Sequence, residues 1–142
     1  MTEIPPPFAL PTKLASHMAR VRDYWNGLKR GENPVPFADD VALSALAGFE
    51  GRLMLVDVFE KPQRFRLAIV GQDIRDWFGG DLVGKFTDEL EAKGPLKFFA
   101  AQASATVEAV AATYYHDGFA RLLLPLWGGG FISQLLGAIA RA

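Results

Sequence analysis

A glycine- and lysine-containing segment in the middle of the chain comes closest to a phosphate-binding loop. Gly79, Gly84 and Lys85 match all but the last position of the pattern G-x-x-x-x-G-K-[ST]. Phe86 fills that last position, where such a loop needs a hydroxyl group to bind Mg²⁺. The sequence therefore does not favour nucleotide binding here. Three consecutive glycines at 128–130 have no following lysine, and they predict a hairpin turn.

The two histidines do not form a metal site by their spacing. Neither His17 nor His116 has a carboxylate or a second histidine at the separation that metal ligands need. His116 lies beside Asp117 in a predicted turn, which favours a solvated side chain. Haem ligation through either imidazole is the less favoured alternative.

The remaining reactive side chains do not form a catalytic pattern. The acidic group Asp88, Glu89 and Glu91 could act as paired carboxylates, but a solvated helix start is the favoured interpretation. None of the four serines lies in a G-x-S-x-G motif. There is no cysteine, which excludes disulfides, thiol nucleophiles and cysteinyl adducts of flavin or chromophore. We therefore expect no enzyme, no catalytic residues and no metal.

Length and charge restrict the function classes further. With 142 residues, the chain has the size of one domain. Fifteen basic and sixteen acidic residues give a net charge of −1, without the basic excess typical of a nucleic-acid-binding protein. No apolar run approaches the ~20 residues of a membrane span, and the first eight residues lack the pattern of a secretory signal. We expect a cytoplasmic protein that binds neither nucleic acid nor membrane.

The N-terminal third predicts an arm followed by an amphipathic helix. Four prolines make residues 1–12 an extended arm, and residues 13–142 form the domain. A helix over residues 13–30 would carry a narrow apolar stripe on one side. The stripe consists of Leu14, Met18, Val21, Trp25 and Leu28. This stripe either docks on the protein's own sheet or pairs with a second subunit, and the latter predicts a homodimer through the helix.

The middle of the chain predicts a hairpin and a short helix. Two strands at residues 53–60 and 64–71 flank a break at Lys61 and Pro62. A short apolar-periodic helix follows at residues 72–79, before a glycine turn. Further on, a helix opens at Pro95, and a second hairpin joins residues 107–115 to residues 119–127 through Asp117 and Gly118.

The order and spacing of several short motifs resemble the bacterial PAS-like family, whose members are often a lone domain. The motifs are Tyr24-Trp25, residues 28–31, 64–67, 70–71, 83–85 and 122–126. The resemblance implies an α+β fold of the PAS type: a five-stranded antiparallel sheet with helices on one face and an N-terminal amphipathic helix. Residues 132–139 fit either a helix or a strand by periodicity, and the resemblance favours a final strand.

Such a fold implies a sensory or ligand-binding function. The aromatic residues of the chain either pack as an ordinary core or line a cavity between the sheet and the helices. The candidate lining consists of Phe65, Leu67, Gln72, Trp77, Phe78, Phe86, Phe98, Tyr114, Arg121 and Leu122. We expect a non-enzymatic signalling domain that binds a small apolar or aromatic ligand, a signalling protein in trans, or both. The alternative is a small α+β barrel enzyme or carrier with an apolar cavity.

Overall fold

The computed structural model of the protein describes residue 4 and residues 6–141, and it has the α+β class that the sequence predicts. Five antiparallel strands form one sheet in the order β2-β1-β5-β4-β3. The strands are β1 (Leu53–Phe59), β2 (Arg64–Val70), β3 (Thr113–Asp117), β4 (Phe119–Gly128) and β5 (Phe131–Arg141). The helices are α1 (Ser16–Gly27), α2 (Gln72–Phe78) and α3 (Phe99–Ala109). None of these helices combines the length and apolar character that a membrane span requires.

The first hairpin confirms the two predicted strands. Period-two alternation predicts Phe65, Leu67 and Ile69 on one face, and this is wrong for Ile69, which a register shift between Leu55 and Val56 leaves 46% exposed. Phe65 and Leu67 pair with Val58 and Val56 on one face of the sheet, and all four side chains are buried. The outer edge of β2 is closed by the chain itself, because the Leu67 N–H donates to the Lys85 carbonyl at 2.8 Å. The glycine–lysine segment is therefore an addition to the sheet edge.

The second half of the sheet confirms the predicted turns and the final strand. Gly118 has a φ of +75°, and Gly129 and Gly130 have φ values of +64° and +89°, which L residues rarely adopt. The first strand of this hairpin was predicted to begin at residue 107, and this start is wrong. Residues 107–109 continue α3, and β3 begins only at Thr113.

Both faces of the central strands are covered. Every residue from Ala120 to Leu126 of β4 is buried, although successive side chains point to opposite faces. Trp77 of α2 lies 5.6 Å from Phe119, and α3 contacts the same face, so α2 and α3 cover this inner face. Helix α1 contacts β4 and β5 and covers the other, outer face.

The stripe of α1 docks on the protein's own sheet. Leu14, Met18, Val21 and Trp25 are buried, and the Trp25 indole N–H donates to the Pro125 carbonyl at 2.8 Å. Of the two alternatives for this stripe, docking on the protein's own sheet is the one that the structure shows, and the homodimer through the helix stays a prediction. The helix is also shorter than the predicted residues 13–30.

The N-terminal arm lies against the open edge of the sheet. Pro6–Phe8 forms a short 3-10 turn in contact with β3, and the Phe8 ring lies 5.8 Å from the Tyr115 ring. The prediction of an extended arm over residues 1–12 is corrected at this turn. Its residues 1–3 and 5 lie outside the described part of the chain.

Candidate functional site

Alternation along β4 divides the ten candidate lining residues between the two faces of the sheet. Arg121 points to the inner face beneath α3, whereas Leu122 points to the outer face. Tyr114 pairs with Leu122 and shares the outer face, where burial raises the pKa of its hydroxyl. The ten residues therefore cannot line one cavity together.

On the inner face, three of the candidates converge. Phe65 and Leu67 of β2 are buried there, and the Phe65 ring meets the Phe99 ring edge-on at 6.2 Å. The Arg121 guanidinium lies 5.1 Å from the centre of the same Phe99 ring. Phe99 thus joins the apolar half of this face to its charged group.

Arg121 is almost completely buried, with 2% of its surface exposed. Its Nε donates to Gln102 Oε1 at 2.7 Å, its Nη1 to the Pro95 carbonyl at 2.8 Å and its Nη2 to the Lys97 carbonyl at 2.9 Å. All three acceptors are neutral. Burial lowers the pKa of Arg121 to about 9, and Tyr115, 5.6 Å away, partly opposes this effect. The side chain therefore remains charged at neutral pH.

A closed set of hydrogen bonds holds Gln102 in place. Its Nε2 donates to Thr113 Oγ1 and to the Arg121 carbonyl, both at 3.1 Å. Thr106 Oγ1 donates to the Gln102 carbonyl at 2.8 Å and lies 2.6 Å from Thr113 Oγ1. Because all these groups are buried and paired, the amide oxygen is fixed in the orientation that accepts from Arg121.

The segment 94–98, here named the strap, crosses over the guanidinium. It begins at Gly94 with a φ of +53° and ends at Phe98 with a φ of +54°. A bulky aromatic residue rarely adopts this left-handed conformation, so the Phe98 end of the strap is strained. Phe98 is also 55% exposed. Lys97 Nζ pairs with Asp117 at 2.6 Å on the solvent side of the strap.

Gln72, Phe78 and Phe86 have partners other than Arg121. Gln72 is exposed and donates to Asp76. Phe78 lies beneath the Lys93 ammonium at 5.0 Å, and Phe86 lies beneath the Arg64 guanidinium at 3.8 Å. Both aromatic side chains are half-buried and contact cations near the surface, and Phe78 also packs against the hydrophobic core.

Four cavities of about 210, 420, 470 and 430 Å³ lie among the described residues. The smallest is bounded by Pro34, Phe37 and Trp127. Gln72 borders one of the larger ones. Phe65, Leu67 and Arg121 border none of the four. These four pockets therefore lie away from the three buried candidate side chains of the inner face.

His17 and the acidic residues Asp88 and Glu89 contact side chains or backbone groups of the fold. His17 is half-buried near Phe49, and burial together with the positive charge of Arg52 lowers its pKa. Asp88 pairs with Arg64 at 2.7 Å, and Glu89 accepts the Phe86 N–H. Within residues 4 and 6–141, no three His, Asp or Glu side chains come together as they would to hold a metal ion.

Sequence reasoning missed the groups that orient Arg121. Gln102 and Thr106 are four residues apart in an alanine-rich helix, and this spacing puts two polar side chains on one buried face. That polar pair was a usable signal. The carbonyl groups of Pro95 and Lys97 left no signal, because backbone acceptors have no side-chain signature.

Comparison with protein-family profiles, with curated proteins and with solved structures finds no match to this chain.

Proposed function

We propose that this chain is a PAS-like sensory domain that binds a small molecule at the inner face and passes the signal on by protein contact. The observation that carries the proposal is the buried Arg121, held charged between the sheet and α3. A charged group at this depth costs stability, and ionisable groups in such environments are concentrated at functional sites. The antiparallel five-stranded sheet with α2 and α3 on one face supports the family resemblance.

The groups around Arg121 suit binding better than catalysis. A general acid or base works best with a pKa near the operating pH. The cluster instead contains a guanidinium, an amide and two hydroxyl groups, from Arg121, Gln102, Thr106 and Thr113. These groups donate and accept hydrogen bonds without exchanging protons at neutral pH. We therefore propose that a ligand is recognised here and leaves unchanged.

A second candidate function is a protein-interaction module without a ligand. It is favoured because Phe65, Leu67 and Arg121 border none of the four pockets. The barrel alternative has less support, because the sheet is open and has β2 and β3 at its edges.

A thermal-shift screen of small metabolites, followed by chromatography of each stabilising compound after incubation, separates these candidates. The proposal expects a compound that raises Tm in a saturable manner and is recovered unchanged. At one hundred times its Kd, such a ligand adds about 2.7 kcal/mol to the free energy of unfolding. A compound that is consumed, with loss of turnover in Arg121→Gln, would contradict the proposal. A screen without any stabilising compound favours the interaction module.

A further inference from the structure

The Arg121 site contains one uncompensated positive charge. The three acceptors that contact the guanidinium are neutral, and Asp117, on the neighbouring strand, is paired with Lys97 Nζ at 2.6 Å. A buried guanidinium usually lies beside a carboxylate, because the Coulomb attraction offsets the loss of hydration. The positive charge of Arg121 therefore favours the binding of one anion at this site.

The orientation of the guanidinium specifies what kind of anion fits. Nε is occupied by Gln102, whereas Nη1 and Nη2 both point at the strap and donate to its carbonyl groups at 2.8 and 2.9 Å. Two parallel N–H groups of one arginine bind the two oxygens of a carboxylate. The carbonyls of Pro95 and Lys97 therefore compete with a carboxylate for the N–H groups of Nη1 and Nη2.

Access to these nitrogens requires movement of one end of the strap. Pro95 and Leu96 are buried and anchor it, whereas Lys97 and Phe98 are exposed. The bond from Nη2 to the Lys97 carbonyl is only partly buried. Movement of the Lys97–Phe98 end would let Phe98 leave its left-handed conformation, so the strain favours opening. The ion pair between Lys97 and Asp117 is half-exposed and offers weak resistance.

We propose that Arg121 binds the carboxylate of a small aromatic acid, which replaces the Lys97 carbonyl at Nη2 when the Lys97–Phe98 end of the strap opens. The aromatic preference follows from the rings at the mouth of the site. The Phe98 ring lies edge-on to the Tyr115 ring at 5.7 Å, and Phe8 covers Tyr115 at 5.8 Å. A planar ligand body can pack against these rings. This inference rests on the proposed function and specifies its ligand class.

The test uses benzoate as the probe and benzamide as its matched neutral control. Thermal unfolding of the full chain is recorded over a titration of each compound, with sodium chloride added to equal ionic strength. The expected result is a saturable rise in Tm with benzoate and none with benzamide. An equal response to both compounds, or no response to benzoate, overturns the inference.

Variants at two positions locate the effect. Arg121→Gln removes the charge and should abolish the benzoate response, and an unchanged response overturns the inference. If Arg121→Gln does not fold, the benzoate affinities of Phe98→Gly and Phe98→Ala are compared instead. Both substitutions remove the ring, but only glycine relieves the left-handed strain and so stabilises the closed strap. Benzoate should bind the alanine variant about five- to tenfold more tightly than the glycine variant, given the usual cost of a left-handed residue. Equal affinities overturn the role of the strap.

The same experiments distinguish failure of this inference from failure of the proposed function. A neutral metabolite that stabilises the protein and is recovered unchanged, while benzoate has no effect, removes the carboxylate site but retains the sensory domain. Chemical conversion of a ligand removes the sensory function itself.

Discussion

Arg121 and Leu122 are neighbours in β4, yet they face two different environments. Leu122 points to the outer face, where α1 contributes the buried side chains of Met18, Val21 and Trp25. Arg121 points to the inner face, where Gln102 and two strap carbonyls surround its charge. One face is apolar at its centre, and the other holds a buried ion.

The two environments contribute differently to the free energy of unfolding. Burying an aliphatic side chain stabilises a fold by about 1.5–3 kcal/mol. Burying a guanidinium without an acid costs free energy that its neutral hydrogen bonds only partly recover. We infer that the environment of Leu122 contributes to stability, whereas the environment of Arg121 carries a cost in stability for a binding group.

The largest effect is expected at the outer face from Met18→Glu. Met18 has no exposed surface, so the new carboxylate would be buried without a partner. We expect the free energy of unfolding to fall by about 3–5 kcal/mol. Urea denaturation followed by circular dichroism measures it, with the exposed Arg20→Glu on the same helix as the control. If the parent is dimeric and Met18→Glu is a stable, folded monomer, the result would instead support the predicted homodimer through the helix.

Leu122→Ala tests the outer face from the side of the sheet. Leu122 has no exposed surface, and truncation should leave a cavity that costs about 2–5 kcal/mol. Ile69→Ala is the control, since Ile69 is 46% exposed. Should the two variants lose equal stability in urea, α1 does not cover Leu122 as described.

Trp25→Phe isolates one hydrogen bond of the outer face. The substitution keeps an aromatic ring but leaves the Pro125 carbonyl without the indole donor at 2.8 Å. A loss of about 1–2 kcal/mol is expected, because a buried acceptor remains unpaired. Differential scanning calorimetry measures the change, and Trp127→Phe, at a half-buried position, is the control. No change in Tm for Trp25→Phe would mean that water replaces the indole.

His17 gives the outer face a small dependence on pH. Burial, with a smaller contribution from Arg52, lowers the pKa of His17 from 6.5, so the unfolded chain takes up a proton at a higher pH than the folded chain. Stability is therefore fully present above pH 6.5 and falls as the pH drops towards the folded pKa. His17→Gln should flatten the stability profile between pH 7 and 5, relative to the exposed His116→Gln. An unchanged slope in His17→Gln contradicts this assignment.

The sequence predicted the elements better than it predicted which way their side chains face. The hairpin of β1 and β2 alternates with a period of two, so the burial of Phe65 and Leu67 was readable. In β4, residues 122–126 are apolar throughout because both faces are covered, and such a run carries no alternation. For this reason Arg121, Leu122 and Tyr114 could not be assigned to faces from the sequence.

The boundary between α3 and β3 shows a second limit. Residues 107–112 are valine- and alanine-rich, with one glutamate, and fit either a strand or a helix by composition. The structure ends the helix at Ala109, and Val110 adopts a left-handed φ of +53°. A β-branched residue rarely adopts this conformation, so no local propensity marks this helix end. Contacts with the sheet, such as Gln102 with Thr113, determine it instead.

The most direct test of the central claim compares the stability of Arg121→Met with that of the parent by urea denaturation. If Arg121 serves binding rather than folding, removal of its buried charge should offset the loss of its three hydrogen bonds. The bond to the Lys97 carbonyl is only partly buried, so this acceptor can hydrate, whereas the acceptors of Gln102 and Pro95 stay buried and lose their donor. We expect the free energy of unfolding to change by no more than about 1 kcal/mol. A loss as large as that of Leu122→Ala would contradict the account, because Arg121 would then hold the fold together.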